Sequence, residues 1–340
     1  MENTNYPSRS SVGFQRQGIV AAFRTWRKEK APSGPGQLEL GMHQIASAAA
    51  GYDAKDIAVV VPVRNERKYL GSFLRHYRNL GVKRFIFIDD QSTDGTIEFL
   101  SAQNDVDVWR STVRYSDAKR SILWREWIFN HYGQNRWYLN LDVDEYLVYQ
   151  DCDKRPLIDV VKYLEKEKHY RMAAPMIDFY SGQHAAAILS DDILPWEIAN
   201  QFDASGYVIR QSSSGWSIKG GVRGRKFGLE NQLIKYPLTY WDSECSLADG
   251  IHKPFPLKRN FSPIYGVMLH FKFFSDLKPK IEIAVADGQY FSNAAEYKII
   301  AKALSDAPDL ELRDNNRSAT YSGPDQLIQL GFMKELWSSV

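Results

Sequence analysis

The sequence predicts an α/β protein with a mostly parallel central sheet and helices on both faces. Short apolar runs alternate with stretches of helical periodicity, which implies strands joined by crossover helices. The runs are continuously apolar, as in strands covered on both sides. Each also ends in polar residues, which gathers the chemistry at one sheet edge. Ile57-Ala58-Val59-Val60-Val61-Pro62-Val63 reads as the first strand. Leu70, Phe73, Leu74, Tyr77 and Leu80 then share a helix face, and Gly81 stops the helix. Phe85-Ile86-Phe87-Ile88 is the next strand, and Asp94 suits the N-cap of a following helix. Val106-Asp107-Val108-Trp109 reads as a third strand, 117–132 as a helix and 137–141 as a fourth strand. Right-handed crossovers place all their C-terminal ends together.

Around this segment the organisation loosens. Residues 1–50 read as an extension, with Ala31-Pro32-Ser33-Gly34-Pro35-Gly36 as a linker. Within it, residues 14–30 set Ile19, Val20, Phe23 and Trp26 at near-helical spacing among Arg16, Arg24, Arg27, Lys28 and Lys30. Such a basic amphipathic helix suits either an anionic membrane surface or docking on its own domain. Residues 51–150 and 151–275 read as two halves of one domain, and 276–340 as a C-terminal helical tail. Charged helices are expected near 275–304, with an amphipathic one over 326–337. No internal repeat is evident.

Composition excludes several classes. The chain has 340 residues, 44% hydrophobic and 25% charged, with a formal net charge of +2. That balance is globular and lacks the basic excess of a nucleic-acid binder. Cys152 and Cys245 are the only cysteines, too few for a disulfide framework or a zinc site. No apolar run nears the roughly 20 residues needed to span a bilayer. The opening residues show no leader pattern, so a reducing, cytoplasmic setting is expected.

The strongest chemical signal is Leu139-Asn140-Leu141-Asp142-Val143-Asp144-Glu145, an apolar run ending in carboxylates. On an extended segment alternate side chains share a face, so Asp142 and Asp144 are expected to point the same way. Paired carboxylates are hard ligands for Mg²⁺ or Mn²⁺, which are commonly shared with substrate phosphates. Asp89-Asp90-Gln91-Ser92-Thr93-Asp94-Gly95-Thr96 also follows a buried strand and enters a helix, where an anion is favoured. The alternative for this loop is a polar turn capped by Asp94.

Taken with Pro62-Val63-Arg64-Asn65-Glu66, these segments resemble the family 2 glycosyltransferases of the GT-A fold, whose sheet is Rossmann-like. Gly220-Gly221-Val222-Arg223-Gly224-Arg225-Lys226-Phe227, Lys235-Tyr236-Pro237-Leu238, His252 and Leu269-His270-Phe271-Lys272-Phe273 extend the likeness to a bacterial subgroup, over 57–275. The resemblance implies that Pro62, Val63, Arg64 and Glu66 frame a nucleobase and ribose, with Asp89 or Asp90 on the base or ribose and Asp94 in the same loop. Asp142 would approach the ribose or a metal-bound water. Asp144, with Asp142 and a late His270, would hold the metal. Arg120 would steady the diphosphate or lie solvated on a helix face. Arg223 and Arg225 would offset charge on the departing diphosphate, since guanidinium groups grip phosphate bidentately. His252 would contact phosphate or acceptor. His270 and the two arginines also admit plain structural roles, in the core and in a Gly-rich turn.

An inverting transfer needs a carboxylate base, for which Asp178, Asp242 and Glu244 are candidates. Asp178 leads, because apolar neighbours would raise its pKa. The Glu-Asp pair common among relatives has no counterpart here. The implied activity is sugar transfer from a nucleotide sugar, UDP-linked, with Mn²⁺ or Mg²⁺, onto a saccharide or lipid-linked acceptor in polysaccharide assembly. Contact with the inner face of the membrane fits that acceptor. The rival readings are a non-catalytic GT-A-like binding module and a sugar-nucleotide pyrophosphorylase, whose basic Gly-rich first loop is missing. A haloacid dehalogenase-type phosphatase would need a nucleophilic Asp where Ser92 stands.

Overall fold

A computed structural model of the chain describes residues 13–19, 39–181, 189–274, 277, 279, 281–282, 291–307 and 310–337. In chain order the elements begin with strands β1 (Phe14–Ile19), β2 (His43–Ala46) and β3 (Ala58–Val63), then helix α1 (Arg67–Asn79). There follow β4 (Arg84–Asp89), α2 (Thr96–Ser101), β5 (Val106–Arg110), α3 (Ile122–Tyr132), β6 (Arg136–Asn140), β7 (Glu145–Tyr149) and α4 (Leu157–Lys166). The second half comprises β8 (Arg171–Tyr180), α5 (Pro195–Ile198), β9 (Gln201–Asp203), β10 (Tyr207–Ser212), β11 (Gly215–Gly220), α6 (Gly221–Phe227) and β12 (Ile234–Trp241). A 3₁₀ turn at Leu257–Phe261, β13 (Gly266–Phe273), α7 (Phe291–Asp306), β14 (Ser318–Thr320) and α8 (Pro324–Gln329) complete the described chain.

The fold is the expected α/β arrangement. One large sheet runs β14-β9-β8-β12-β6-β3-β4-β5-β2, with β13 pairing both β7 and β8. Strands β6, β3, β4 and β5 are parallel neighbours. The period of two along β3 and β4 explains why both faces are covered. Val59, Val61, Phe85 and Phe87 join the core under α1, where Phe73 and Tyr77 pack. Ala58, Val60, Ile86 and Ile88 join the opposite core with Trp124, Ile128 and Phe129 of α3. The chain leaves β3 toward β4 on one side and returns as β6 on the other. A crevice therefore opens above the carboxyl ends of β3 and β6.

Several local expectations change. Residues 14–19 form strand β1, paired in parallel with β10, and do not begin a helix. The open edge of the β10–β11 hairpin supplies backbone partners that local periodicity cannot reveal. The remainder of the expected basic helix and the linker lie outside the described residues. Strand β2, within the expected extension, forms the sheet edge against β5. The C-terminal helix is short, because Gly331 takes a left-handed φ of 78° just after it. The chain then folds back, and the Leu336 and Trp337 N–H groups donate to Gln150 Oε1 at 2.7 and 3.0 Å. Strand β14 adds to β9, so the tail is not wholly helical. Helix α3 starts at Ile122, after three left-handed residues, Lys119, Arg120 and Ser121. Among the described residues no helix is long and apolar enough to cross a membrane.

His76 on α1 shows how tightly this core excludes charge. It is 6% exposed, and its Nε2 donates to Leu147 O at 2.9 Å. Burial lowers its pKa from 6.5 to about 4. The folded protein therefore binds fewer protons than the unfolded chain between those values. This group's contribution is complete above pH 6.5 and is lost as pH falls toward 4, by about 3 kcal/mol. Denaturant melts at pH 7 and 4.5 should show His76→Gln losing less stability on acidification than the parent. Equal losses would mean that His76 does not drive the acid limb.

Candidate functional site

At the crevice, the loops after β3 and β4 are locked together. Asp89 is buried at the end of β4 and accepts from the Gln91 and Ser92 N–H groups at 3.0 and 3.1 Å. Its Oδ2 also accepts from Arg110 Nη2 at 2.6 Å. Asp90 accepts from Arg114 Nε at 2.8 Å and from Arg64 Nη1 at 3.4 Å. Asn65, at a left-handed φ of 54°, accepts from the Thr93 N–H at 2.7 Å. Glu66 is buried, and its N–H donates to Thr96 Oγ1 at 3.1 Å. Asp94 braces both helix starts, accepting from Arg67 N at 3.0 Å and Thr96 N at 3.1 Å. Gly95, with φ 87°, takes the N-cap place expected of Asp94. The expected nucleotide-loop residues Pro62, Val63, Arg64, Glu66, Asp89, Asp90 and Asp94 thus share one end of the sheet. Arg110 and Arg114, which the sequence reading left without roles, join them.

The acidic segment turns between β6 and β7, with the Glu145 N–H donating to Asp142 O at 3.2 Å. Burial still alternates: Leu141, Val143 and Glu145 are buried, while Asp142 and Asp144 are partly exposed. The two aspartates meet different partners. Asp142 accepts from Arg125 Nη2 and Lys235 Nζ, both at 2.6 Å. Lys235 also donates to buried Glu145. Desolvation opposes charge on Asp142, yet Lys235 and Arg125 hold its carboxyl down at about 2. Arg125 is itself buried, and its Nη1 donates to Leu141 O at 3.1 Å. The basic residue ahead of this strand that reaches the acidic loop is therefore Arg125, while Arg120 is exposed in the preceding turn.

Asp144 faces His270, with Oδ2 and Nε2 3.4 Å apart. Glu145, His270 and Asp178 form one cross-strand row, because β13 pairs antiparallel with β7 and parallel with β8. His270 Nδ1 lies 2.5 Å from Asp178 Oδ1. Burial disfavours its charge, but Asp144 and Asp178 raise its pKa to about 9. Asp178 accepts from Arg223 Nε at 2.8 Å. Burial would raise its carboxyl, but Arg223 and His270 outweigh that and hold it at about 2. The expectation of Asp178 as a base with a raised pKa is thus corrected: its cationic partners keep it ionised and fully engaged. Arg223 is 4% exposed and also reaches Glu296 Oε1 at 3.4 Å. Arg225 donates to Asp203 at 2.7 and 3.0 Å and to Leu312 O at 2.8 Å, which leaves it bracing the fold. His252 donates from Nδ1 to Ile234 O at 2.6 Å; burial and then Lys235 lower its pKa to about 4.

The other base candidates are misplaced. Strand β12 runs antiparallel to β6, with Leu238 opposite Leu139 and Trp241 opposite Arg136. Asp242 and Glu244 therefore leave the sheet at the end opposite the acidic turn, roughly 20 Å away at strand spacing. There they pair with Arg259 at 2.7 and 3.0 Å. Asp242→Asn should leave turnover within about twofold of the parent. A larger loss in kcat at unchanged thermal stability would restore it as a candidate.

The residues present partly fit a divalent cation. Asp144 offers oxygen and His270 Nε2 nitrogen, and the Nδ1 contact to Asp178 is the kind of support that orients a metal-bound imidazole. Cation binding requires Nε2 to be deprotonated. Asp142 is committed to two buried cations, and no cluster of at least three His, Cys, Asp or Glu able to hold a metal ion occurs among the described residues. A cation there would complete its shell with phosphate oxygens and water.

Residues 58–153 match the family described as Glycosyl transferase family 2. The matched span runs from β3 to just beyond β7 and includes the loops after β3 and β4 and the acidic turn. It supports a nucleotide-sugar-binding function of the glycosyltransferase type. No curated protein matches the chain. Among solved structures it is similar to a 4-diphosphocytidyl-2C-methyl-D-erythritol synthase at 15% identity, covering 42% of this chain and 72% of that one, with TM-score 0.22. It is also similar to an apo UDP-glucose pyrophosphorylase at 8% identity, covering 81% and 97%, with TM-score 0.26. Scores this low transfer neither fold nor chemistry.

Proposed function

We propose that this chain is a metal-assisted glycosyltransferase that moves a sugar from a nucleoside diphosphate sugar, UDP-linked, to a saccharide or lipid-linked acceptor in glycan assembly. The observation that carries the reading is the family match over 58–153, which takes in the acidic turn at the sheet's polar edge. In this reading the loops after β3 and β4 hold the nucleoside, and Asp144 and His270 hold Mn²⁺ or Mg²⁺. Such a cation would neutralise charge on the departing diphosphate. Lys235 and Arg125 fix Asp142 at the mouth of the crevice, where it can accept from ribose or from an ordered water. Their positive charge also favours phosphate nearby.

The direct test is calorimetric titration with UDP, GDP, CDP and dTDP, each with and without Mn²⁺. Metal-dependent binding of UDP alone is expected; absence of binding by all four overturns the reading. One observation favours a second reading, a non-catalytic nucleotide-sugar-binding module. Asp178 is locked in ion pairs, and Asp242 and Glu244 lie at the far edge. Measured turnover of a sugar nucleotide with acceptor separates the two.

A further inference from the structure

Beyond the acidic turn, a second charged cluster lies where α7 meets the sheet. Glu296 of α7 receives Lys272 Nζ at 2.5 Å and Arg223 Nη1 at 3.4 Å on Oε1, and Asn231 Nδ2 at 2.8 Å on Oε2. Lys272 and Arg223 are 11% and 5% exposed at the side chain, and Glu296 is 25% exposed. Desolvation works against Glu296, yet Lys272 and Arg223 hold its carboxyl at about 2. Three donors from three separate segments converge on this one carboxylate. Arg223 Nη2 is buried with no hydrogen-bond partner, and so is the acceptor Asn231 Oδ1. Unmet buried groups are costly, and two beside one anion indicate a site shaped for something larger than a carboxylate.

A phosphoryl group has the missing features. Its three or more oxygens can engage Lys272 and both Arg223 terminal nitrogens, and a hydroxyl on its carbon skeleton can donate to Asn231 Oδ1. The site is also wired to the acidic turn. Arg223 holds Asp178, Asp178 holds His270, and His270 faces Asp144. We propose that Arg223, Lys272 and Asn231 form a phosphoryl-binding subsite that Glu296 of α7 occupies as an internal competitor until the ligand displaces it. The ligand's identity as a nucleotide-sugar phosphate or an acceptor phosphate rests on the function proposed above; the anion chemistry does not.

Inorganic pyrophosphate is the probe. Glu296→Gln keeps the shape and removes the competing charge, so pyrophosphate should bind at least about tenfold tighter than to the parent. Adding Lys272→Met to that variant should cancel the gain. Equal affinity of parent and Glu296→Gln overturns the subsite. Should the variant fail to fold, hydrogen exchange on the parent serves instead. Saturating pyrophosphate should speed exchange over 295–306, and unchanged exchange at saturation overturns the displacement. Competition by UDP with Mn²⁺ assigns the subsite to the donor, and competition by glycerol 3-phosphate assigns it to an acceptor. If neither competes, the link to transfer is overturned, while the anion subsite stands or falls on the pyrophosphate titrations. UDP binding to the parent is read in the same titrations, so failure of the nucleotide reading is distinguishable from failure of the subsite.

Discussion

Asp144→Ala is expected to abolish Mn²⁺-dependent UDP binding, a loss of at least about a hundredfold, beyond that seen for groups supporting a ligand. Asp144 is the carboxylate of the acidic turn that faces the His270 imidazole, at 3.4 Å. Removing it takes away the proposed oxygen ligand while His270 keeps its contact with Asp178. The turn itself should persist, because its link to β13 runs from the Phe271 N–H to the Asp144 carbonyl at 2.9 Å. Calorimetry with and without Mn²⁺ is the measurement, with a thermal melt as control. An unchanged affinity in a folded variant would refute the metal assignment.

Lys235→Met should produce the largest loss of stability, about 3–5 kcal/mol, the range for removing one partner of a buried ion pair. Lys235 is 7% exposed at the side chain, and Glu145, which it serves, is 1% exposed. Burial disfavours the ammonium, but Asp142 and Glu145 hold its pKa well above the usual lysine value. With the ammonium gone, Glu145 is left charged in the core and must take up a proton or draw in water. Denaturant unfolding at pH 7 reads the effect. Adding Glu145→Gln should recover much of the loss, because the stranded charge is then absent. A midpoint unmoved in Lys235→Met would show that Arg125 alone compensates both carboxylates.

The central strands were legible because their apolar runs record burial on both faces, as the split of Val59 and Val60 between two cores shows. The polar strand ends were legible for the same reason, since charge in an otherwise buried run must surface. What local sequence could not convey is who meets whom. Lys235 lies 93 residues from Asp142, and Glu296 lies 73 from Arg223. Apolar neighbours along β8 suggested a raised pKa for Asp178, but those neighbours flank it along its own strand. Its cationic partners come from β13 and α6, elements apart in sequence. The pairing register was the missing signal: once β13 is laid beside β8, His270 falls opposite Asp178. Lys235 and Lys272 were visible within motif segments, yet nothing in their spacing distinguished an internal counterion from a solvated cation.

Strand β1 has a temporal consequence. Its partner β10 begins at Tyr207, opposite Phe14, so this strand must wait for 193 further residues to emerge. At ordinary ribosomal speeds of about 5–20 residues per second, that interval is roughly 10–40 s. During it, a segment with open backbone donors and acceptors has no native mate. Any protein that shields nascent strands would find its client in residues 14–19.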